Sequence, residues 1–299
     1  MNLGRQAFRD EEHCRRLLET MVWPDGRICP ACGYKRSIAI AGRDTGKRRP
    51  IRQPTAWRMG HALRLMVARE QMLVGTVEID HFHLGGRPKR YPDDPSPGRG
   101  RKGQANTQKT PVMAMVQRPN DITPGTPAGD ARAGVVTGLS LRAAERAVET
   151  QIEPHAHLMS DEAKAFMAIG ESFAKHETVK HSSREYVRDA VHVNSVEGFN
   201  SRVRRTIAGV FHHISPQHAD LYFHEIGFRW SQRVVSGSAV RKTRHGRERV
   251  RTLWSRVPPA LQLLQVFRAA TGRQMRRSPD GGIIIKSAVA CLVDKGCVG

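Results

Sequence analysis

The clearest pattern of apolar and polar positions begins at Thr76, where Val77 and Ile79 alternate with Glu78 and Asp80 and the run closes on Gly85-Gly86 after Leu84. Alternation with period two followed by paired glycines predicts a strand and a turn, with Asp80 near the strand's end. Pro111–Gln117 and Ala133–Leu139 read as two further strands. Ser140 is placed to cap a helix through Ala143–Ile152, and His155–Ser160 reads as a fourth strand that delivers Asp161 at its carboxyl end. Further on, Asn194 and Glu197 have the Asn-x-x-Glu form of a capping box, and Val196, Phe199, Val203, Ile207 and Val210 form an apolar stripe at helical spacing.

Outside this block the signals weaken. Trp57, Leu63, Leu65, Met66 and Met72 are spaced as one face of a connecting helix over Thr55–Leu73. The basic, Pro- and Gly-rich stretch Arg87–Lys109 has no period and reads as a loop able to track a phosphate backbone, with Arg101 and Lys102 as its DNA-binding candidates. Beyond Arg233 the chain is basic and weakly patterned, apart from a short helix around Leu261–Ala269. The expected organisation is a small zinc-ribbon-like segment over 1–50, a connecting helix over 51–75, a catalytic domain over 76–235 and a basic tail of unassigned role over 236–299. Three strands, a helix and a fourth strand predict an α/β fold of ribonuclease H-like type, a mixed sheet flanked by helices.

Charge narrows the function. The 299 residues carry 49 Lys plus Arg against 28 Asp plus Glu, a formal net charge of +21, far more than solubility requires. Such a chain calls for a polyanion, and nucleic acid is the usual one because bound Lys and Arg release condensed counterions. An anionic membrane surface is the rival, but no basic amphipathic helix with an aromatic face is present. The first sixteen residues lack the apolar core of a signal peptide, and no stretch approaches a membrane span. A cytoplasmic protein, associated with the nucleoid when bound to DNA, is expected. Five cysteines, with Cys29 and Cys32 spaced as a metal half-site, do not form a secreted disulfide framework.

Two-metal phosphoryl transfer needs carboxylates from separate elements converging on one point. Asp80 and Asp161 at neighbouring strand ends and Glu197 on a helix, with 35 residues between Asp161 and Glu197, answer that demand. Three carboxylates so close would repel without cations, and magnesium suits an all-oxygen site that keeps water and phosphate ligands. Arg204, two helical turns after Glu197, is placed to hold a DNA phosphate, with Arg202 and Arg205 beside it as further DNA contacts. Each residue also has an ordinary role open to it: a strand-end Asp as a turn residue, Glu197 as the closing member of a cap, Arg204 as a solvated cation. Their combination with the strand order and the charge favours catalysis.

These residues lie in motifs that resemble the DDE-type insertion-sequence transposases of the fifteen-ninety-five family, with an ISXO-like catalytic domain. Val77-Glu78-Ile79-Asp80 with Leu84-Gly85-Gly86 resembles the family's first-aspartate motif, and Ser160-Asp161-Glu162 with Phe166 its second. The most specific run is His192-Val193-Asn194-Ser195-Val196-Glu197-Gly198-Phe199, continued by Arg204-Arg205, Gly209, His212-His213-Ile214-Ser215 and Phe228-Arg229-Trp230. The resemblance implies cleavage at the element's ends by activated water, then attack of the freed 3′ hydroxyl on target DNA. It assigns Asp80, Asp161 and Glu197 to two Mg2+ ions, for which Mn2+ substitutes. Arg204 takes the place usually held by Lys, and Asn194 is a reserve third residue, since some relatives use Asn there. Double-stranded DNA, as terminal inverted repeats and as target, is the implied partner, with a homo-oligomer assembled on it. His192 reads as structural.

The chain departs from its relatives in three places. Only Cys29 and Cys32 of the expected two Cys-x-x-Cys pairs are evident, with Cys14 a minor candidate for a third ligand, so the zinc site reads as incomplete and the N-terminal region as shortened. His81 follows Asp80 where an acid is common, and Cys291 and Cys297 in the tail read as ordinary thiols. Two alternatives therefore stand beside an active transposase: a catalytically inactive DNA-binding relic, and a ribonuclease H-like nuclease that cuts without joining.

Overall fold

The computed structural model describes residues 12, 13, 16, 20, 53–85, 109–138, 140–183, 185, 187–242, 246 and 248–270, together with the main chain of 273–277 and 283–287. The chain divides into two compact units, one of residues 68–256 and one of residues 1–67 with 257–299.

In the larger unit β1 (Thr76–Leu84), β2 (Thr110–Gln117), β3 (Ala131–Val135), β4 (His157–Asp161) and β5 (Lys175–Val179) form one sheet in the order β3-β2-β1-β4-β5. β1 runs antiparallel to β2 and β2 to β3, whereas β1–β4 and β4–β5 are parallel. This is the mixed, helix-flanked α/β sheet of a ribonuclease H-like fold, as the sequence predicts.

Both faces of the sheet are covered, and the strand alternation divides the core. Val77, Ile79, Met113, Met115 and Leu158 face α2 (Leu141–Glu149) and α3 (Lys164–Gly170), which supply Ala144, Val148, Phe166 and Ile169. Phe82, Val112, Ala114, Val116 and Met159 face α4 (Asn194–Thr206) and α5 (Ala219–Ser231), which supply Val196, Phe199, Val203, Phe223 and Ile226. Burial on both faces explains why β2 is apolar almost throughout. α5 approaches β3 so closely that a Cβ at Gly227 would overlap the Ala131 carbonyl oxygen, and Asp220 at its first turn accepts the Val135 N–H at 2.8 Å.

Several expectations need correction. α4 ends at Thr206 and passes into a π-type turn over Ile207–Phe211, which leaves Val210 exposed rather than on the apolar stripe. The weakly patterned region after Arg233 forms a long antiparallel hairpin, β8 (Arg233–Lys242) with β9 (Glu248–Arg256), after two short strands β6 (Val187–Arg188) and β7 (Val191–His192). Ser140 stands at the start of α2 without a side-chain capping bond.

In the smaller unit α1 (Gln53–Met66) lies against α6 (Pro259–Ala270), and β10 (Arg273–Arg277) pairs with β11 (Ile283–Ser287). Among the described residues no helix is long and apolar enough to cross a membrane.

Candidate active site

Asp80 lies on β1 between Glu78 and Phe82, on the face that packs under α4. One carboxylate oxygen accepts the His81 N–H at 2.7 Å and the other accepts the Asn200 side-chain amide at 2.7 Å. The parallel register pairs Val77 with Leu158 and Glu78 with Met159, so its continuation sets Asp80 level with Asp161, the last residue of β4. Asp161 accepts the Ala163 N–H at 3.1 Å. Behind it the buried Ser160 hydroxyl donates to the Asp161 carbonyl at 2.9 Å and lies 2.9 Å from His176 Nε2. Glu197 is exposed on the first turn of α4.

Electrostatics tie the three acids together. Burial raises the Asp80 pKa, and the negative charges of Asp161 and Glu197 add to it against the opposing His81 N–H and ring, to about 6. Among the described residues, no three His, Cys, Asp or Glu side chains stand close enough to enclose a metal ion. Both Asp80 oxygens are engaged in hydrogen bonds. The Asn200 Oδ1 is nevertheless buried with no partner among the described residues. An unsatisfied amide oxygen beside a carboxylate that resists ionisation suits an oxygen-seeking dication.

A second charged group fixes the helix that carries Glu197 and Asn200. Glu78 is fully buried, yet its carboxylate accepts the N–H groups of Ser195 and Val196 at 2.7 and 2.9 Å. Arg118, just past β2, donates to the other oxygen at 2.5 Å, and also to the carbonyls of Ala190 and His192 at 2.7 and 2.8 Å. His192 Nδ1 lies 2.7 Å from the Arg118 guanidinium and 3.3 Å from Glu78. Burial pushes the Glu78 pKa up, but His192, Arg118 and the Val196 N–H outweigh it, so the group sits below its ordinary value. An anion at a helix N-terminus meets both the free N–H groups and the helix dipole. The capping box expected of Asn194 and Glu197 is therefore not what starts α4. Val193 is the capping residue, without a side-chain bond, and the cap comes from Glu78 on β1.

Glu197, Asn200 and Arg204 recur at helical spacing along α4. The Arg204 guanidinium lies 5.2 Å over the Phe82 ring, and its charge helps to lower the His83 pKa, after burial, His81 and Lys109. Arg202 turns instead to Trp230, at 5.7 Å, and Arg205 donates to the Ser201 carbonyl. Asn194 is exposed, and among the described residues no hydrogen bond joins its side chain to Asp80 or Asp161. Arg101, Lys102, Cys14, Cys29, Cys32, Cys291 and Cys297 lie outside the described residues.

Sequence reasoning passed over Glu78, Arg118 and Asn200. The period of two places Glu78 on the same strand face as Asp80, and the helical period places Asn200 one turn past Glu197. Both signals were available. Arg118 had none, because its role depends on the approach of residues 190–192.

Two family models match the chain. Residues 72–231 match the family model of the ISXO2-like transposase domain, and residues 9–49 match that of the transposase zinc-ribbon domain. No curated protein matches the chain.

Proposed function

We propose, from the premise that this chain belongs to the ISXO2-like transposase family, that it cleaves DNA at insertion-sequence ends and joins the freed 3′ ends to target DNA. The observation that supports the reading is the β1–β4 register, whose continuation sets Asp80 level with Asp161, with Glu197 on the first turn of the helix that packs over the Asp80 face of β1. Asp80, Asp161 and Glu197 would hold two Mg2+ ions, or Mn2+ in their place, with Asn194 in reserve as a third residue. Magnesium, when bound, activates the attacking oxygen and offsets charge on the leaving one.

The chain's own groups do the rest. Asn200 and the His81 N–H orient the Asp80 carboxylate, and Glu78 anchors the helix bearing Glu197 to the strand bearing Asp80. Arg204, held over Phe82, supplies positive charge to a phosphate beside the acids, with Arg202, Arg205, Arg101 and Lys102 as further contacts to double-stranded DNA. Cys29 and Cys32 supply half of the four ligands a zinc ion takes, and a homo-oligomer would pair two ends.

The test is strand transfer by the full chain, with Mg2+ or Mn2+, on labelled duplexes carrying the repeats that flank its own gene, beside Asp161→Asn. Joined products from the unaltered chain alone support the reading. A second, non-catalytic DNA-binding reading stands beside it. DNA binding without cutting by either protein would select it, whereas cutting without joining would select a nuclease.

A further inference from the structure

The hairpin that follows α5 has a charge pattern that the carboxylate site does not use. The 24 residues from Arg233 to Arg256 hold eight Lys or Arg and one acid, Glu248. That acid pairs with Lys242 near the turn, at 3.9 Å. Among the described residues no carboxylate is bonded to Arg202, Arg233, Arg241, Arg251 or Arg256. At the base, the Arg233 guanidinium lies between two indoles, 3.9 Å from the centre of Trp230 and 4.9 Å from that of Trp254, and Arg202 approaches Trp230 from α4. The cations repel one another. Burial and then Arg202 lower the Arg233 pKa to about 10, and Arg202 is lowered by burial and by Arg256 and Arg205.

The register sets the distribution of charge. Ala239 stands opposite Arg251 and Arg233 opposite Arg256, with a bulge between Val235 and Gly237. By the period of two, Arg241 and Arg251 share one face of the ribbon, while Arg233, Trp254 and Arg256 share the other. Arg241, Arg251 and Arg256 are exposed, as are Val240 and Val250. A two-stranded ribbon with unneutralised cations on both faces has the dimensions and charge to lie in a duplex groove between two phosphate backbones.

We propose that the Arg233–Arg256 hairpin is a sequence-independent docking surface for duplex DNA, seated through phosphate contacts from Arg241, Arg251 and Arg256. It rests on the DNA-processing reading only in its choice of partner.

The experiment is fluorescence anisotropy of a labelled random-sequence duplex titrated with the full chain over a range of NaCl concentrations. The unaltered chain is compared with Arg241→Gln/Arg251→Gln/Arg256→Gln and with the corresponding triple Lys variant. Loss of three phosphate contacts reduces the slope of log K against log salt by about 2 to 3, and weakens binding at least ~10-fold at fixed salt, while the Lys variant keeps the slope. A Gln variant with unchanged slope overturns the proposal, as does equal loss in the Gln and Lys variants. If the unaltered chain binds no duplex, both this proposal and the transposase reading fail. If it binds but joins no ends, a reduced slope in the Gln variant upholds the hairpin and removes only strand transfer.

Discussion

The Glu78 carboxylate accepts the Val196 N–H at 2.9 Å across 118 residues of sequence. Through this bond the first turn of α4 is fastened to the strand that carries Asp80. Removing Glu78 leaves the Arg118 guanidinium and two helix N–H groups with no acceptor on that side, and a broken buried pair costs about 3 to 5 kcal/mol. Urea unfolding of Glu78→Ala should show that loss, and Glu78→Gln, which keeps an oxygen acceptor, a smaller one. A change under about 1 kcal/mol in Glu78→Ala would deny the helix its anchor.

The same residue sets an acid limit. Glu78 lies below its ordinary 4.5, so its stabilisation is complete above that pH and is lost as pH falls through its folded-state value. Melting temperature should therefore drop in the unaltered chain below about pH 4.5, and the drop should be shallower in Glu78→Gln. Parallel curves would contradict the ion pair.

Asp80 behaves in the opposite sense. Its carboxyl, raised to about 6 from 3.8, favours the protonated form, so ionisation destabilises the fold progressively as pH rises through that interval. Without divalent cation, Asp80→Asn should be more stable than the parent at pH 7, by on the order of 2 kcal/mol, and the gain should shrink toward pH 4. Added Mg2+ should reverse the ranking. Calorimetry with and without Mg2+ reads both effects, and equal stability at pH 7 would sink the claim.

Asn200 donates to Asp80 and keeps a buried oxygen unpaired. Asn200→Ala removes the donor that orients the carboxylate, and loss of such a supporting bond commonly costs about 10-fold in metal affinity. Isothermal titration with Mn2+ should show this loss in a variant that remains folded. Unchanged affinity would confine Asn200 to packing.

At Gly227 a methyl group has no room against the Ala131 carbonyl. Gly227→Ala should therefore move α5 off β3 and destabilise by about 1 to 3 kcal/mol, despite the better helix propensity of alanine. Urea unfolding that shows a gain in stability would refute the close approach.

How much was legible follows from what each element depends on. β1 reads from its own residues, and its predicted span of Thr76–Leu84 is the observed one. β2 differs from expectation by one residue because its apolar run is continuous. β5, with the sequence Lys-His-Glu-Thr-Val, sits at the sheet edge and carries little apolar signal. The β8–β9 hairpin escaped notice because its strands are rich in Arg and Ser, with a bulge that breaks the alternation. At the candidate site, Asp80, Asp161 and Glu197 announce themselves by residue type and motif. Glu78, Arg118 and Asn200 act through partners distant in sequence, and only the folded chain brings those together.

The parallel pairing of β1 with β4, closed by α4, bears on the order of events during synthesis. Thr206, the end of α4, follows Asp80 by 126 residues, about 6 to 25 s of translation. Until that helix emerges from the ribosome, the apolar face of β1 and β2 and the buried charge of Glu78 have nothing to cover them. The nascent chain is then exposed to aggregation and proteolysis. Synthesis of α4, and after it of α5, is in this sense the timer that separates a growing chain from a folded one.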